Sequence, residues 1–269
     1  MGQTIGFIGC GKMAKAMICG MIRNRHVQPE QVIASARTAE TLHKVREIYG
    51  IRTTTENEEV AREADFLFLA VAPSQYEAVI AEVRHAVRPT ALVITVAAGI
   101  TMQRVADAFR ADVKVVRTMP NTPSLVGAGM SALSANERVT EEELARVAAL
   151  FRSFGEVEVI AEQQMDAIPS ISGSSPAYVY LMIEAMADGG VRLGLSRDQA
   201  YRLAAQAVLG AARMVLETGK HPGELKDQVC SPGGATIAAV SELESQRFRG
   251  AVLAAMESCY QRVKQLGQN

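Results

Sequence analysis

The sequence has no tryptophan, only seven phenylalanines and six tyrosines, and no block of basic residues. It therefore lacks the stacking platforms on which a single-strand nucleic-acid binder relies. A net charge of −1 gives no electrostatic footprint for nucleic acid or an anionic membrane. The four cysteines (Cys10, Cys19, Cys230, Cys259) form no C-x-x-C pair, and the four histidines are scattered, so no zinc-ligand spacing is present. Unpaired thiols fit a reducing compartment. Long apolar runs are missing too: the longest, Ala91 to Ile100, is about half of what a bilayer span needs. No basic n-region precedes the first apolar stretch, which carries Lys12 and Lys15, so it does not read as a secretory signal. Met1-Gly2 suits myristoylation, but Gly6 stands where that motif needs Ser or Thr. The expectation is a cytoplasmic, soluble protein with a small-molecule partner, no nucleic acid, no membrane and no metal.

What is present is 48% hydrophobic and 21% charged over 269 residues, the profile of a globular chain with two domains. Short strand-like runs at Thr4–Ile8, Gln31–Ala36, Asp65–Val71, Ala91–Val96, Val113–Arg117, Met130–Leu133 and Val157–Ile160 alternate with helical patterns. Asp65–Val71 and Ala91–Val96 are nearly unbroken apolar runs, as suits strands buried on both faces of a parallel sheet. Thr140 to Glu143 is a capping box opening a further helix. The alternation predicts an α/β fold, a Rossmann-type doubly wound sheet over residues 1–161. From residue 162 to 269 the texture is all-helical, with helices at Ala177–Leu193, Asp198–Glu217, Ala235–Leu243 and Arg247–Leu266. Lys220–Gly223 reads as a helix connector. Val179–Met186 and Ala204–Met214 offer more apolar surface than one domain easily buries, which reads as the seam of a homodimer or a higher oligomer of dimers, with a packed monomeric core as the alternative.

Gly9-Cys10-Gly11-Lys12-Met13-Ala14 is a G-x-G-x-x-A pattern between the first strand and the first helix. There Gly9 allows a tight turn, Gly11 lets backbone approach a pyrophosphate, and Ala14 lets the helix pack on the strand. Chance glycines in a turn are the alternative. The end of the second strand reads Ala34-Ser35-Ala36-Arg37-Thr38, without the acid that usually accepts from an NAD ribose. Ser35 and Arg37 are suited to donate to a 2′-phosphate, which favours NADPH, with NADH still open. A solvated arginine in a polar loop is the plainer reading. Ala70-Val71-Ala72-Pro73 and Ala97-Ala98-Gly99 leave the carboxyl ends of strands with side chains small enough to admit a nicotinamide.

Near the other end, Gln228 precedes Ser231-Pro232-Gly233-Gly234-Ala235-Thr236, which leads straight into a helix. A bend of this kind leaves amides unpaired at a helix N-terminus, a place for a carboxylate. A Gly-rich cap between helices and a second phosphate site are the alternatives.

Gly6–Ala14, Met119–Pro123, Ser172–Tyr178, Leu225–Asp227 and Ser231–Ile237 together resemble pyrroline-5-carboxylate reductase, in that family's order and over nearly the whole chain. The resemblance implies a helical C-terminal domain that dimerises by interlocking, and NAD(P)H-dependent reduction of 1-pyrroline-5-carboxylate to L-proline. It implies that Gly9–Ala14, Ser35, Arg37, Asn57, Ala70–Pro73 and Ala97–Gly99 hold the cofactor. It further implies that Glu162, Gln228, Ala235 and Thr236 line the substrate pocket; the glycine stretch itself offers the Gly233–Thr236 amides to the carboxylate and adds the hydroxyls of Ser231 and Thr236. Three residues depart from the family's habit: Ala72 where lysine is common, Gln228 where asparagine is, and Ser175 where glycine is.

The substrate so implied is a cyclic imine, whose protonated form is already an electrophile. Thr236 is expected to hydrogen-bond the ring nitrogen as the catalytic residue, with a helix-start hydroxyl serving local backbone as the alternative. Three rivals stand beside this reading: a 3-hydroxyacid dehydrogenase, a reductase of a related cyclic imine, and a non-catalytic nucleotide sensor. The dehydrogenase would need a helix-borne lysine within Ala177–Leu193, and none is there.

Overall fold

The structure, a computed structural model, describes residues 2–268, with no account of the Gln268 side chain. Its first half runs β1 (Ile5–Ile8), α1 (Lys12–Arg23), β2 (Val32–Ser35), α2 (Ala39–Tyr49), β3 (Arg52–Thr54), α3 (Asn57–Glu63) and β4 (Phe66–Leu69). There follow α4 (Tyr76–Val83), β5 (Leu92–Thr95), α5 (Met102–Phe109), β6 (Lys114–Met119), β7 (Gly129–Ala135), α6 (Glu141–Arg152) and β8 (Gly155–Val159). The eight strands form one sheet in the order β3-β2-β1-β4-β5-β6-β7-β8. The order reverses beside β1, and ligands of open α/β sheets bind at such a switch point.

Alternation along the strands sorts side chains into two cores. Phe7 and Phe68 join Met17, Phe151 and Phe154 on one face, beneath α1 and α6. The Phe7 and Phe68 rings stack with centroids 4.5 Å apart, a contact worth about 0.5–1.5 kcal/mol beyond area burial. Leu67, Leu69 and Val93 point the other way, onto Val60, Tyr76, Ile80 and Val105 of α3, α4 and α5. The capping box expected at Thr140 is present, with Glu143 N–H donating to Thr140 Oγ1 at 3.2 Å.

The sheet is not wholly parallel. β7 pairs antiparallel with β6, while β8 returns parallel to β7. Only Pro120–Ala128 joins β6 to β7, too short for the crossover that parallel pairing needs. β3 and α3 carry no signal as strong as the rest. β3 is a three-residue edge strand, and α3 buries only Val60 and Ala61.

The helical half contains α7 (Ser175–Arg192), α8 (Arg197–Thr218), α9 (Pro222–Val229), α10 (Ala235–Ser245) and α11 (Phe248–Gln268). Of the Lys220–Gly223 connector, Lys220 and His221 do link α8 to α9, while Pro222 and Gly223 already belong to α9. His221 caps it, its Nδ1 accepting from Gly223 N–H at 3.0 Å, and Pro222 takes the first helical position. Packing divides the chain into two compact units, Met1–Ser174 with Cys259–Asn269, and Ser175–Ser258. The texture change at residue 162 precedes that division, because the turns of 162–173 are still tied to the sheet domain. Asn121 Nδ2 donates to Ser172 O at 2.9 Å, and the end of α11 also belongs to the first unit.

Candidate functional site

At the end of β1 the chain turns through Gly9, whose φ is +93°. Gly9 N–H donates to Ser35 O at 3.2 Å, and Ala70 N–H donates to Ile8 O at 2.8 Å, so three strand ends meet here. Gly11 is the N-cap of α1; no side chain caps that helix, and its first turn holds no acid. Its leading amides therefore present the positive end of the helix dipole, the arrangement that takes a phosphate. No atom lies within 4 Å of where a Gly11 Cβ would stand. That open cradle and its donors fit a pyrophosphate.

The cradle opens into a cleft of about 590 Å³ that Gly9, Cys10 and Gly11 share with Arg37 and Asn57. Ala70, Val71 and Ala72 form its opposite wall, and Pro73 begins the turn that follows. Of the rest of the fingerprint, Lys12 is exposed, Met13 is half-buried against the core, and Ala14 is buried beneath the helix. Burial pushes the Cys10 thiol pKa up against the opposing pull of Lys15, so a neutral group faces the anion site.

Arg37 is exposed on the cleft, and its guanidinium has no hydrogen-bond or ion-pair partner among the described residues. A free cation at the end of β2, with no acid following that strand, fits a ribose 2′-phosphate. Ser35 differs from expectation. It is fully buried, and its hydroxyl donates to Asn57 Oδ1 at 2.6 Å instead of facing the cleft. The geometry makes it a support for Asn57, whose Nδ2 in turn donates to Glu82 Oε2 at 2.9 Å. Thr38, Thr55 and Glu82 also line the cleft and were not anticipated. Thr38 had a signal, since it is the N-cap of α2. Thr55 had none, because it follows the short β3.

Ala97, Ala98 and Gly99 follow β5 and do not line this cleft. Gly99 is buried with φ +77°, and a Cβ there would stand 2.9 Å from Gly267 N and 3.0 Å from Val263 O in the last turns of α11. Glu162 lies in the sheet unit. Its Oε1 accepts from Met102 N–H at 2.6 Å, capping α5, and stands 3.5 Å from Nη1 of the buried Arg117, which also pairs with Asp166. The remaining substrate candidates lie in the helical unit. Gln228 on α9 donates to Glu224 Oε1 at 3.0 Å. Ser231 O accepts from Gly234 N–H at 3.0 Å, closing a turn through Gly233. Gly234 is the N-cap of α10, again with no side-chain cap and no acid in the first turn. Ala235 is exposed and Thr236 half-buried, and the Thr236 hydroxyl has no hydrogen-bond partner among the described residues. The reading in which it serves local backbone does not match this geometry. Among the described residues, no cluster of His, Cys, Asp or Glu could hold a metal, and no helix is long and apolar enough to cross a membrane.

Two family models match the chain: "NADP oxidoreductase coenzyme F420-dependent" over residues 4–99, and "Pyrroline-5-carboxylate reductase dimerisation" over 162–266. A pyrroline-5-carboxylate reductase of Escherichia coli is 46% identical over 269 residues, covering 100% of both chains. The solved structure of one from Coxiella burnetii superposes with a TM-score of 0.91 at 36% identity, covering 99% of each chain. A Plasmodium falciparum pyrroline carboxylate reductase, solved with NADP bound, gives 0.90 at 30% identity and 98% coverage of each. At such identity over its full length, the chain belongs to the pyrroline-5-carboxylate reductase family.

Proposed function

We propose that the protein reduces 1-pyrroline-5-carboxylate to L-proline at the expense of NADPH, the last step of proline formation. The observation that carries this reading is the uncapped start of α10 beside the unpartnered Thr236 hydroxyl, a ready seat for a small carboxylate carrying a polar ring atom. The amides that open α10 bind the carboxylate and so fix the ring. Thr236 Oγ1 holds the ring nitrogen, which already bears its proton in the iminium form. A bound nicotinamide would supply a hydride to C5: its electron pair would form the new C5–H bond, the π pair of the C=N bond would return to nitrogen as the amine lone pair, and NADP⁺ would be left. No side chain needs to act as nucleophile, and catalysis rests on placement, which in favourable cases is worth roughly 7–11 kcal/mol.

For the cofactor, Gly9–Ala14 take the pyrophosphate, Arg37 the 2′-phosphate, and Asn57 with Ala70–Pro73 the adenosine side, while Ala97–Gly99 adjoin the nicotinamide half. Glu162 is tied to Arg117 and Met102, and in this reading it positions α5 behind the last of these loops. Residues 162–269 serve as the substrate-binding and dimerisation domain of a homodimer in the cytoplasm. In support, Leu181, Leu203, Leu209, Leu216 and Leu253 are all at least half exposed. In α7–α10 only Ala187, Ala200 and Ala204 are buried among the described residues, so the helices lack a core of their own size.

The test is loss of reduced-nicotinamide absorbance with pyrroline-5-carboxylate, NADPH and NADH run side by side. Imine-dependent oxidation is expected; none from folded, NADPH-binding protein would refute the reading. Thr236→Val, which keeps shape and removes the hydroxyl, is expected to lower kcat/KM for the imine by roughly tenfold or more while leaving the NADPH dissociation constant unchanged. Unchanged turnover would remove Thr236 from the mechanism. Arg37→Ala is expected to weaken NADPH by about tenfold and NADH hardly at all, the loss of one charge-assisted contact at an exposed site. Equal effects on both cofactors would place Arg37 away from the 2′-phosphate.

A further inference from the structure

Tyr76 is a residue that neither the motifs nor the cleft lining single out. It opens α4 and is buried at 2% exposure. Its phenol oxygen lies 2.6 Å from Leu69 O, to which it donates, and 3.2 Å from Thr95 Oγ1. Leu69 and Thr95 form the last register pair of β4 and β5. Beyond that pair the ladder ends, and the two chains part as the Ala70–Pro73 and Ala97–Gly99 loops. Thr95 is itself held from the next strand, its carbonyl accepting from Thr118 Oγ1 at 2.9 Å.

We propose that Tyr76 is a positioning residue for the cofactor: its hydroxyl closes the gap where β4 and β5 separate and so fixes the spacing of the two loops that follow. A phenylalanine would fill the same volume in the surrounding cluster of Leu69, Ile80 and Val93. Burying a hydroxyl is costly unless it is bonded, and this one is bonded only to groups at the mouths of the two loops. Burial pushes its pKa up to about 12 despite the hydrogen bond to Thr95, so it stays a neutral donor throughout the working range. Removing the oxygen leaves the Leu69 carbonyl and the Thr95 hydroxyl without their shared partner at the point where the loops diverge. The loops then lose their common reference while each strand keeps its ladder.

The inference rests on the reading that both loops hold NADPH, with adenosine phosphates reaching only the first. The experiment measures binding of two probes to full-length Tyr76→Phe: NADPH, followed by its own fluorescence, and adenosine 2′,5′-bisphosphate, by displacement or calorimetry. NADPH is expected to weaken by about tenfold, as for loss of one buried hydrogen-bond network node, with adenosine 2′,5′-bisphosphate within about twofold of wild type. KM for the imine should move far less than KM for NADPH. Phe154→Leu, a cavity in the opposite core, controls for general loss of stability and should change neither probe. Equal weakening of both probes, no weakening of either, or the same pattern in Phe154→Leu would overturn the proposal. Failure of wild type to bind NADPH would instead overturn the cofactor reading, which separates the two.

Discussion

Gly9→Ala is expected to lose NADPH binding by at least about a hundredfold and to unfold at lower urea concentration than wild type. A left-handed backbone costs an L-residue roughly 1–2 kcal/mol. With φ at +93°, Gly9 lies in that disfavoured half of conformational space. The added Cβ would also stand 2.6 Å from Ala70 O and 2.9 Å from Val71 Cγ1. Ala70 cannot retreat, because its amide is bonded to Ile8 O at 2.8 Å, on the same turn. Either the β1 turn opens or the loop after β4 moves, and both walls of the cleft are then displaced. Gly11→Ala is the informative companion. Its Cβ meets nothing within 4 Å, so the fold should be indifferent to it. The methyl would instead enter the space assigned to the pyrophosphate. The expected pattern is therefore lost binding with lost stability at Gly9, and lost binding with wild-type stability at Gly11. Binding would be measured by NADPH fluorescence and stability by urea titration. Wild-type affinity in a folded Gly11→Ala would detach the fingerprint from the cofactor.

That contrast also marks what a sequence can carry. The G-x-G-x-x-A spacing, the apolar strands at Phe66–Leu69 and Leu92–Thr95, and the capping box at Thr140 are local patterns, and local patterns survive folding. The small residues after β4, Ala70–Ala72, do form the second wall of the cleft, but the same pattern after β5, Ala97–Gly99, does not line it, so small residues after a buried strand do not by themselves say which cleft they border. Ser35 shows the limit. Its position at the end of β2 is legible, but whether its hydroxyl faces ligand or core depends on Asn57 arriving from α3, a helix with little periodic signal. Tyr76 is a stronger case. Nothing in Ser74-Gln75-Tyr76-Glu77 distinguishes it from an ordinary core aromatic until β4 and β5 lie side by side. The antiparallel β7 was hidden similarly, because its strand run reads the same in either direction and only the short link from β6 decides.

Gly99→Ala is expected to be the most disruptive change in the loop after β5, through contacts made with the far end of the chain. Gly99 combines φ +77° with a hypothetical Cβ 2.9 Å from Gly267 N and 3.0 Å from Val263 O, both backbone atoms of α11. Conversely, a Cβ on Gly267 would stand 2.6 Å from Gly99 O. Two glycines face each other, and neither can gain a methyl without parting the helix from the loop. Arg104 holds that helix end in place: its Nη1 donates to Gly267 O at 3.2 Å while Nη2 pairs with Glu77 at 3.1 Å. Left-handed strain and overpacking add to roughly 2–5 kcal/mol, against a total stability for such a domain of about 5–15 kcal/mol. The urea midpoint should fall accordingly, and NADPH should weaken because Ala97 and Ala98 move with Gly99. Gly267→Ala carries the steric cost alone and should destabilise less. The double variant separates this seat from two independent defects. Once one methyl has lifted the helix end, the second meets open space, so the combined loss should fall short of the sum. An additive double variant, or a Gly99→Ala protein with wild-type urea midpoint, would show that the loop does not depend on the C-terminal turn.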